Sequence, residues 1–484
     1  FVSLFCKIFL FFYFFGEKVR NYFVNSGIDF SFILCYTVYK YYNMRELFMD
    51  TLSFHPVPQG NDFKPLNAVN NGPHYVRHAS DQARSNFDAY KAARIPFART
   101  HDAAFYATYG GEHTVDISAI FPNFDADEKD PASYDFACTD EYLLVTMEAG
   151  TQIFFRLGQK IEHYIKKFNI YPPKDFGKWA HICEHIIRHY NEGFANGFHL
   201  NIRYWEIWNE ADMEAEEPAY RRTWGGSKTQ FFDLYAITAK HLKSCFPELQ
   251  IGGPALAGNE VWAEEFLHEM QLRQVPIDFF SWHIYCMEPE EMLQKSVRIR
   301  ALLDKYGYTQ AKSILDEWNY VCGWEAGAFT QTIERIISMH GAAFTLACMC
   351  AAQNSDIDML MYYDARPCVF NGLFDFYTLR PLKGYYPFYW YGMLYGRKEL
   401  RCDAFPPHIY ALCGVEETGK TLTLLVHYTN DDAESPREIT LEFGKSGNYE
   451  VYSLDDTHDN TLVTVTNKPT FTLANRSCLL IKEI

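Results

Sequence analysis

The sequence predicts an α/β fold, a (β/α)8 TIM barrel followed by a C-terminal β-sandwich. Three observations carry that prediction. From Pro65 onward, short buried-strand signals alternate with amphipathic helical stretches, the pattern of repeated βα units. Eight such units fit before about Gly396, where the texture changes to short alternating strands divided by turn clusters. The chain's 484 residues suit one barrel, which commonly takes about 250 residues or more, with one smaller domain beside it.

Taken in order, the barrel strands are expected at Leu66 to Val69, Ile95 to Arg99, Gln152 to Leu157 and Tyr204 to Trp208. The second half continues with Gln250 to Gly253, Phe279 to His283, Ser313 to Asp316 and Met359 to Tyr363. Each is a short, largely apolar run, as a strand buried on both faces requires. Helices are expected between them at Phe176 to Tyr190, Lys228 to Cys245, Glu260 to Gln271, Glu290 to Tyr306 and Thr330 to Cys350. The sandwich strands are expected at Tyr410 to Val415, Thr421 to His427, Glu438 to Phe443, Tyr449 to Ser453, Thr461 to Val465 and Cys478 to Ile481. Turn clusters such as Asn430-Asp431-Asp432 and Ser446-Gly447-Asn448 separate them.

The expected domains are therefore residues 65–395 for the barrel and 396–484 for the sandwich, with 44–64 as an N-terminal segment packing on the sandwich. Residues 1–43 open with Phe and are dense in Phe, Tyr, Ile, Lys and Asn. Their apolar run from Ile8 to Phe15 falls short of the roughly 20 residues that span a bilayer. They read as upstream sequence before a start at Met44, which implies a cytoplasmic protein. Acting instead as a leader, they would imply a secreted or periplasmic one.

The charge balance, 61 acidic against 44 basic residues and a net −17, comes with no Lys or Arg block, which argues against nucleic acid as a partner. No membrane partner is expected either, and a homo-oligomer stays open. Thirteen cysteines form no C-x-x-C pair and read as small buried hydrophobes. His181, His185 and His189 recur every four residues along one predicted helix face. They are read as a stripe on an outer helix rather than a metal site, and no metal or other cofactor is expected.

Barrel chemistry gathers where strands end. Two of those ends carry a glutamate among aromatic and amide neighbours: Trp208-Asn209-Glu210 after the fourth strand and Asp316-Glu317-Trp318-Asn319 after the seventh. Cleavage of a glycosidic bond with retention needs an acid and a nucleophilic carboxylate about 5 to 5.5 Å apart, and two parallel strands can deliver them to one rim. Glu210 is the expected acid/base, and Trp205 and Trp208 are expected to supply part of its apolar wall. Glu317 is the expected nucleophile, held ionised by Arg99 and Tyr285, with Asp316 turned to the opposite side by strand alternation. Asn209, His101 and His283 suit sugar hydroxyls. Trp318 and Arg366 complete the expected substrate contacts, Arg366 being a cation available to a uronic acid. Long loops at 104–135 and 213–227 are expected to wall the site.

At these residues the chain resembles glycoside hydrolase family 39. The resemblance rests on Phe97-Ala98-Arg99-Thr100-His101-Asp102, Asp130-Pro131-Ala132-Ser133-Tyr134-Asp135-Phe136, Phe155-Arg156-Leu157-Gly158, Trp208-Asn209-Glu210, Ser281-Trp282-His283-Ile284-Tyr285 and Asp316-Glu317-Trp318-Asn319. It implies a retaining hydrolase with Glu210 as acid/base, Glu317 as nucleophile, and His101, Asn209, His283 and Tyr285 at the sugar. β-Xylosidases and α-L-iduronidases are its main members. The segment Asp364-Ala365-Arg366-Pro367 departs from a standard β-xylosidase. A β-xylosidase-like exo-enzyme is the expectation; the alternatives are a uronidase, another exo- or endo-glycosidase of the family, and an inactive carbohydrate-binding barrel.

Overall fold

The computed structural model describes residues 50–57, 60–75, 84–101, 114–213, 215–368 and 370–484. The expected leader or upstream segment at 1–43 lies outside them, as do 104–113 of one expected loop wall and residue 214 of the other.

Eight parallel strands close into a barrel in chain order: β2 (Ala68–Asn70), β3 (Phe97–Arg99), β4 (Gln152–Leu157), β5 (Tyr204–Ile207), β6 (Gln250–Leu256), β7 (Phe279–Cys286), β8 (Lys312–Tyr320) and β9 (Met359–Tyr362). Pairing of Ala68 with Met361 and Val69 with Tyr362 makes the closure. The helices are α1 (Phe87–Ala92), α2 (Ile117–Ile120), α3 (Ala137–Glu148), α4 (Phe176–Glu192), α5 (Lys228–Cys245), α6 (Glu260–Leu272), α7 (Pro289–Lys305), α8 (Ala326–Ile336), α9 (Met339–Ala352) and α10 (Tyr385–Gly392). Among the described residues no single helix is long and apolar enough to cross a membrane.

Local chemistry explains several of these ends. A capping box between Ser227 and Gln230 starts α5, and Asp175 caps α4, which stops at Gly193 in the left-handed region. The single helix expected at Thr330 to Cys350 is instead two, α8 and α9, bent by 75°. Ser338 breaks it by accepting the His340 N–H as an N-cap. Apolar residues continue across the break because α9 is buried almost all round, so hydrophobic pattern alone could not reveal it. The histidine stripe is also uneven: His181 is half exposed, whereas His189 is buried, stacks on Phe136 and meets Asp140 at 3.0 Å.

The second sheet has nine strands, adding β10 (Lys398–Cys402), β11 (Ile409–Val415), β12 (Thr421–His427), β13 (Arg437–Glu442), β14 (Tyr449–Leu454), β15 (Thr461–Thr466), β16 (Thr470–Leu473) and β17 (Ser477–Glu483). Its ninth member, β1 (Asp50–Pro56), comes from the other end of the chain. The first half of β1 pairs parallel with β13 and the second half antiparallel with β10, so the sheet folds into two leaves at this strand. Leu52, Phe54, Leu400, Leu425, Ile439, Leu441, Val451 and Ile481 fill the space between the leaves.

This sandwich is bonded to the barrel near the C-terminal end of β8. Tyr428 donates to the Met287 carbonyl at 2.6 Å, Glu288 accepts from the Asn430 N–H at 2.8 Å, and Tyr320 at the end of β8 donates to Asn430 Oδ1 at 2.8 Å.

Candidate active site

Inside the barrel, alternation stacks the inward side chains in layers. Phe97, Phe154, Tyr204, Phe279 and Ile314 pack with Ala68, Met359 and Met361 as an apolar plug toward the strand N-termini. Two residues further along, the same strand faces present Arg99, Arg156, Glu206, Ser281 and Asp316, all buried. The next level is the rim, with Glu210, His283, Tyr285 and Glu317. The charged layer between plug and rim is what holds the rim in place.

Glu210 is fixed by its backbone. Its N–H donates to the Ala255 carbonyl at 2.9 Å, and its own carbonyl accepts from Thr223 Oγ1 at 2.6 Å. Both Trp208 (φ 72°) and Glu210 (φ 52°) are left-handed, a conformation that non-glycine residues hold only when neighbouring bonds impose it. The Trp208 N–H supplies one such bond, to the Leu157 carbonyl at 2.8 Å. Asp212 ties this turn to the next one by accepting the N–H groups of Ala257, Gly258 and Asn259 at 2.8 to 2.9 Å.

Glu317 reaches the rim through a β-bulge. On β7 and β8, Trp282 pairs with Leu315 but His283 pairs with Glu317, which leaves Asp316 as the extra residue. Asp316 therefore does not turn away from the mouth, as simple alternation predicts. It faces inward with Ile314, and the slip brings Glu317 inward directly above it. The Glu317 carboxylate accepts from Tyr285 Oη at 2.5 Å and from Arg99 Nη1 at 3.4 Å.

His283 links the carboxylates: Nδ1 lies 2.8 Å from Glu210 Oε1 and 3.8 Å from Glu317 Oε2, and Nε2 lies 3.5 Å from Asp316 Oδ1. The ligand-type atoms of Glu210, His283 and Glu317 all fall within 4.8 Å of one another. Burial works against a charged imidazole, but Glu317 and Asp316 overcome it and hold His283 well above its ordinary value. An imidazolium uses both nitrogens as donors, so a charged His283 can serve Glu210 and Asp316 at once.

Burial pushes Glu317 up to about 7; His283, Arg99 and the Tyr285 hydroxyl oppose that shift, while the charge of Glu210 adds to it. One level down, burial raises Glu206 well above a normal glutamate, against the pull of Arg99. Asp316 goes the other way, Arg99 and His283 outweighing burial to keep it ionised. Arg99 Nε meets both carboxylates, Glu206 at 2.7 Å and Asp316 at 3.0 Å.

With this geometry in view, comparison with known proteins places the chain. The family model described as glycosyl hydrolases family 39 matches residues 95–310. A β-xylosidase of Geobacillus stearothermophilus is 32% identical over 175 residues, which cover 32% of this chain and 33% of that enzyme. A β-xylosidase of Caldicellulosiruptor saccharolyticus is 29% identical over 192 residues, 37% of this chain and 36% of the relative. Residues 95–310 are thus similar to glycoside hydrolase family 39. The matched part of the chain spans about a third of these curated relatives. The fold is similar to that of a glucosidase from Croceicoccus marinus, with a TM-score of 0.71, 22% identity, and coverage of 90% of this chain and 99% of that one. It is also similar to a monomeric β-xylosidase from Caulobacter crescentus CB15, with a TM-score of 0.61, 14% identity and the same coverages.

The stretch that matches family 39 holds Arg99, His101, Asn209, Glu210, His283 and Tyr285, and Glu317 follows just beyond it. The structure brings Glu210, Glu317, His283, Tyr285 and Asn209 to one place. His101 joins them, with Nε2 3.6 Å from Glu317 Oε2 and its ring 5.8 Å from that of Tyr363. Asn209 Oδ1 accepts from Arg99 Nη2 at 2.6 Å. That bond orients the amide and leaves Nδ2 buried without a hydrogen-bond acceptor among the described residues.

Three expectations need correction. Arg99 is wholly buried beneath the rim, bonded to Glu206, Asn70, Asn209 and Glu317, so it positions the site and does not meet a substrate. Trp318 points out of the barrel toward α9, its ring centroid 6.0 Å from Phe344 and 5.6 Å from Tyr362. The residue that follows an inward Glu317 faces the surrounding helices. Trp205 and Trp208 likewise pack outward, against Phe155 and against Trp179 and Trp224, and give Glu210 no direct wall. Arg366 lies beyond β9 beside Asp364, with Nη2 3.4 Å from Oδ2.

Sequence reading missed Glu206, Asn70 and Asp212. Glu206 had a visible signal: a carboxylate in mid-strand, two places after Tyr204, lands inside a barrel. Asn70 donates to the Asp316 carbonyl at 2.8 Å and accepts from Arg99, contacts that only the closed barrel creates.

Proposed function

We propose that the chain is a retaining glycoside hydrolase acting on β-linked pentosides, β-xylosides foremost. The observation that carries this reading is the pair of rim carboxylates, Glu210 after β5 and Glu317 on β8, with oxygens within 4.8 Å of each other. Inverting pairs stand roughly 6.5 to 9.5 Å apart to admit a water, so a close pair supports direct attack by one carboxylate. The names of the two curated relatives, both β-xylosidases, support the sugar.

In the first step a Glu317 oxygen bonds to the anomeric carbon as the bond to the leaving oxygen breaks, and Glu210 gives that oxygen its proton. In the second, Glu210 takes a proton from water as the water oxygen bonds to the anomeric carbon and releases Glu317. His283 holds Glu210 in reach of both events. The free Asn209 Nδ2 is the donor for the sugar 2-hydroxyl, a contact that tightens as positive charge develops on the ring.

Hydrolysis of a panel of p-nitrophenyl glycosides tests the reading, with the anomer of the first product followed by NMR. Release from the β-xyloside with retention is expected. Glu317→Ala should abolish it, and azide should restore turnover in Glu210→Ala as the glycosyl azide. Full activity in both variants, or an inverted product, sinks the assignment.

A further inference from the structure

Of the nine tryptophans, eight are buried and one is not: Trp324, 64% exposed, in the short segment between β8 and α8. An indole this exposed is a ready face for another ring. Its segment is pinned. The Cys322 N–H donates to Thr332 Oγ1 at 3.1 Å, and a Cβ on Gly323 would lie 2.6 Å from that of Ala328, so only glycine lets the chain fold this tightly against α8.

Trp324 does not stand alone. Its plane is within 20° of Phe329 and 18° of Phe370, and those two lie within 6° of each other, with centroids 5.8 to 6.3 Å apart. Tyr285, whose hydroxyl holds Glu317, meets Trp324 edge-on at 5.2 Å and Phe370 at 5.8 Å. The three parallel rings thus begin where the catalytic rim ends.

We propose that Trp324, backed by Phe329 and Phe370, is a stacking shelf for the ring of the leaving group. The inference rests on the glycosidase reading above. The anomeric carbon must sit between Glu210 and Glu317, both almost wholly buried, which sends the reacting sugar to the pocket floor. Whatever lies beyond the glycosidic oxygen then rises to the level of the exposed indole. A second pyranoside, through its C–H face, and an aryl aglycone present the same flat apolar surface.

The test compares kcat/KM for β-xylobiose, p-nitrophenyl β-xyloside and β-xylosyl fluoride, whose leaving group has no ring, in wild type, Trp324→Ala and Trp324→Phe. In Trp324→Ala the ratio of either ring substrate to the fluoride should fall about tenfold, and Trp324→Phe should recover much of it. A fall for xylobiose marks a sugar-binding shelf, and a fall for the aryl substrate alone an aryl-binding one. Equal losses on all three overturn the shelf, since they place the indole in support of Tyr285. Should wild type release nothing from any substrate, the hydrolase reading fails. The shelf is then judged by calorimetric binding of xylobiose, where equal affinity in wild type and Trp324→Ala refutes it.

Discussion

Tyr285 donates its hydroxyl to Glu317 Oε1 at 2.5 Å, and the two residues arrive there from adjacent strands whose ladder slips by one residue just below them. The bond lowers the proton affinity of a carboxylate that burial, with its opposing contacts in place, still holds up at about 7. In the proposed mechanism Glu317 attacks only when ionised, so activity should fall as pH drops through that value. Removing the hydroxyl removes a lowering influence. In Tyr285→Phe the acid limb of kcat/KM should therefore move to higher pH, with a loss of about 10- to 100-fold at neutral pH. A profile with an unmoved acid limb would show that the bond does not govern Glu317.

Arg99 is the keystone of the layer under the rim. It is wholly buried, and Glu206 and Asp316 overcome the cost of burial to hold its charge. Arg99→Ala would leave Asp316 ionised with no guanidinium beside it. Breaking such a buried pair costs about 3–5 kcal/mol, visible as a large drop in Tm or in the denaturant midpoint. Arg99→Lys should not rescue it, because one ammonium cannot replace a fork that serves Glu206, Asn70 and Asn209 together. A melt within a degree or two of wild type would mean that the layer is not structural.

The barrel strands were legible because each is a short apolar run between turn residues, and β4 and the helix α5 fall where pattern alone puts them. Glu210 and Glu317 were legible as glutamates at strand ends. What pattern could not reach was direction. Trp318 follows a strand-end glutamate just as a stacking residue would, yet a bulge one residue earlier decides that it faces α9. Arg99 reads as a rim cation until closure of the barrel buries it. Residues 44–64 were expected against the sandwich, but β1 was not expected as one of its strands, for another reason: its partners β13 and β10 lie more than three hundred residues away, and nothing local announces such a pairing.

That strand gives a stability prediction. Leu52 and Phe54 on β1 point between the two leaves of the sandwich, and Leu52 has no exposed surface. Leu52→Ala should cost about 2–5 kcal/mol, read in a chemical melt. Because the sandwich bonds Glu288 and Tyr320 beside the catalytic rim, the loss should also lower the temperature at which activity disappears. An unchanged melt would mean that β1 is dispensable to the sandwich core.

Asn209 offers the sharpest link between geometry and chemistry. Arg99 occupies its Oδ1, so Nδ2 is the atom presented to a substrate, and it is buried without a hydrogen-bond acceptor among the described residues. A buried donor left unmatched costs roughly 1–3 kcal/mol, so the site favours a ligand that supplies an acceptor there. If the acceptor is the sugar 2-hydroxyl, Asn209→Ser and a 2-deoxy substrate remove the same contact from opposite sides. Each change alone should lower kcat/KM by about 100-fold, roughly 2.7 kcal/mol. Together they should cost little more than either one, because the contact can be lost only once. Additive losses in that cycle would place the 2-hydroxyl elsewhere, with His101 the next residue to pair against it.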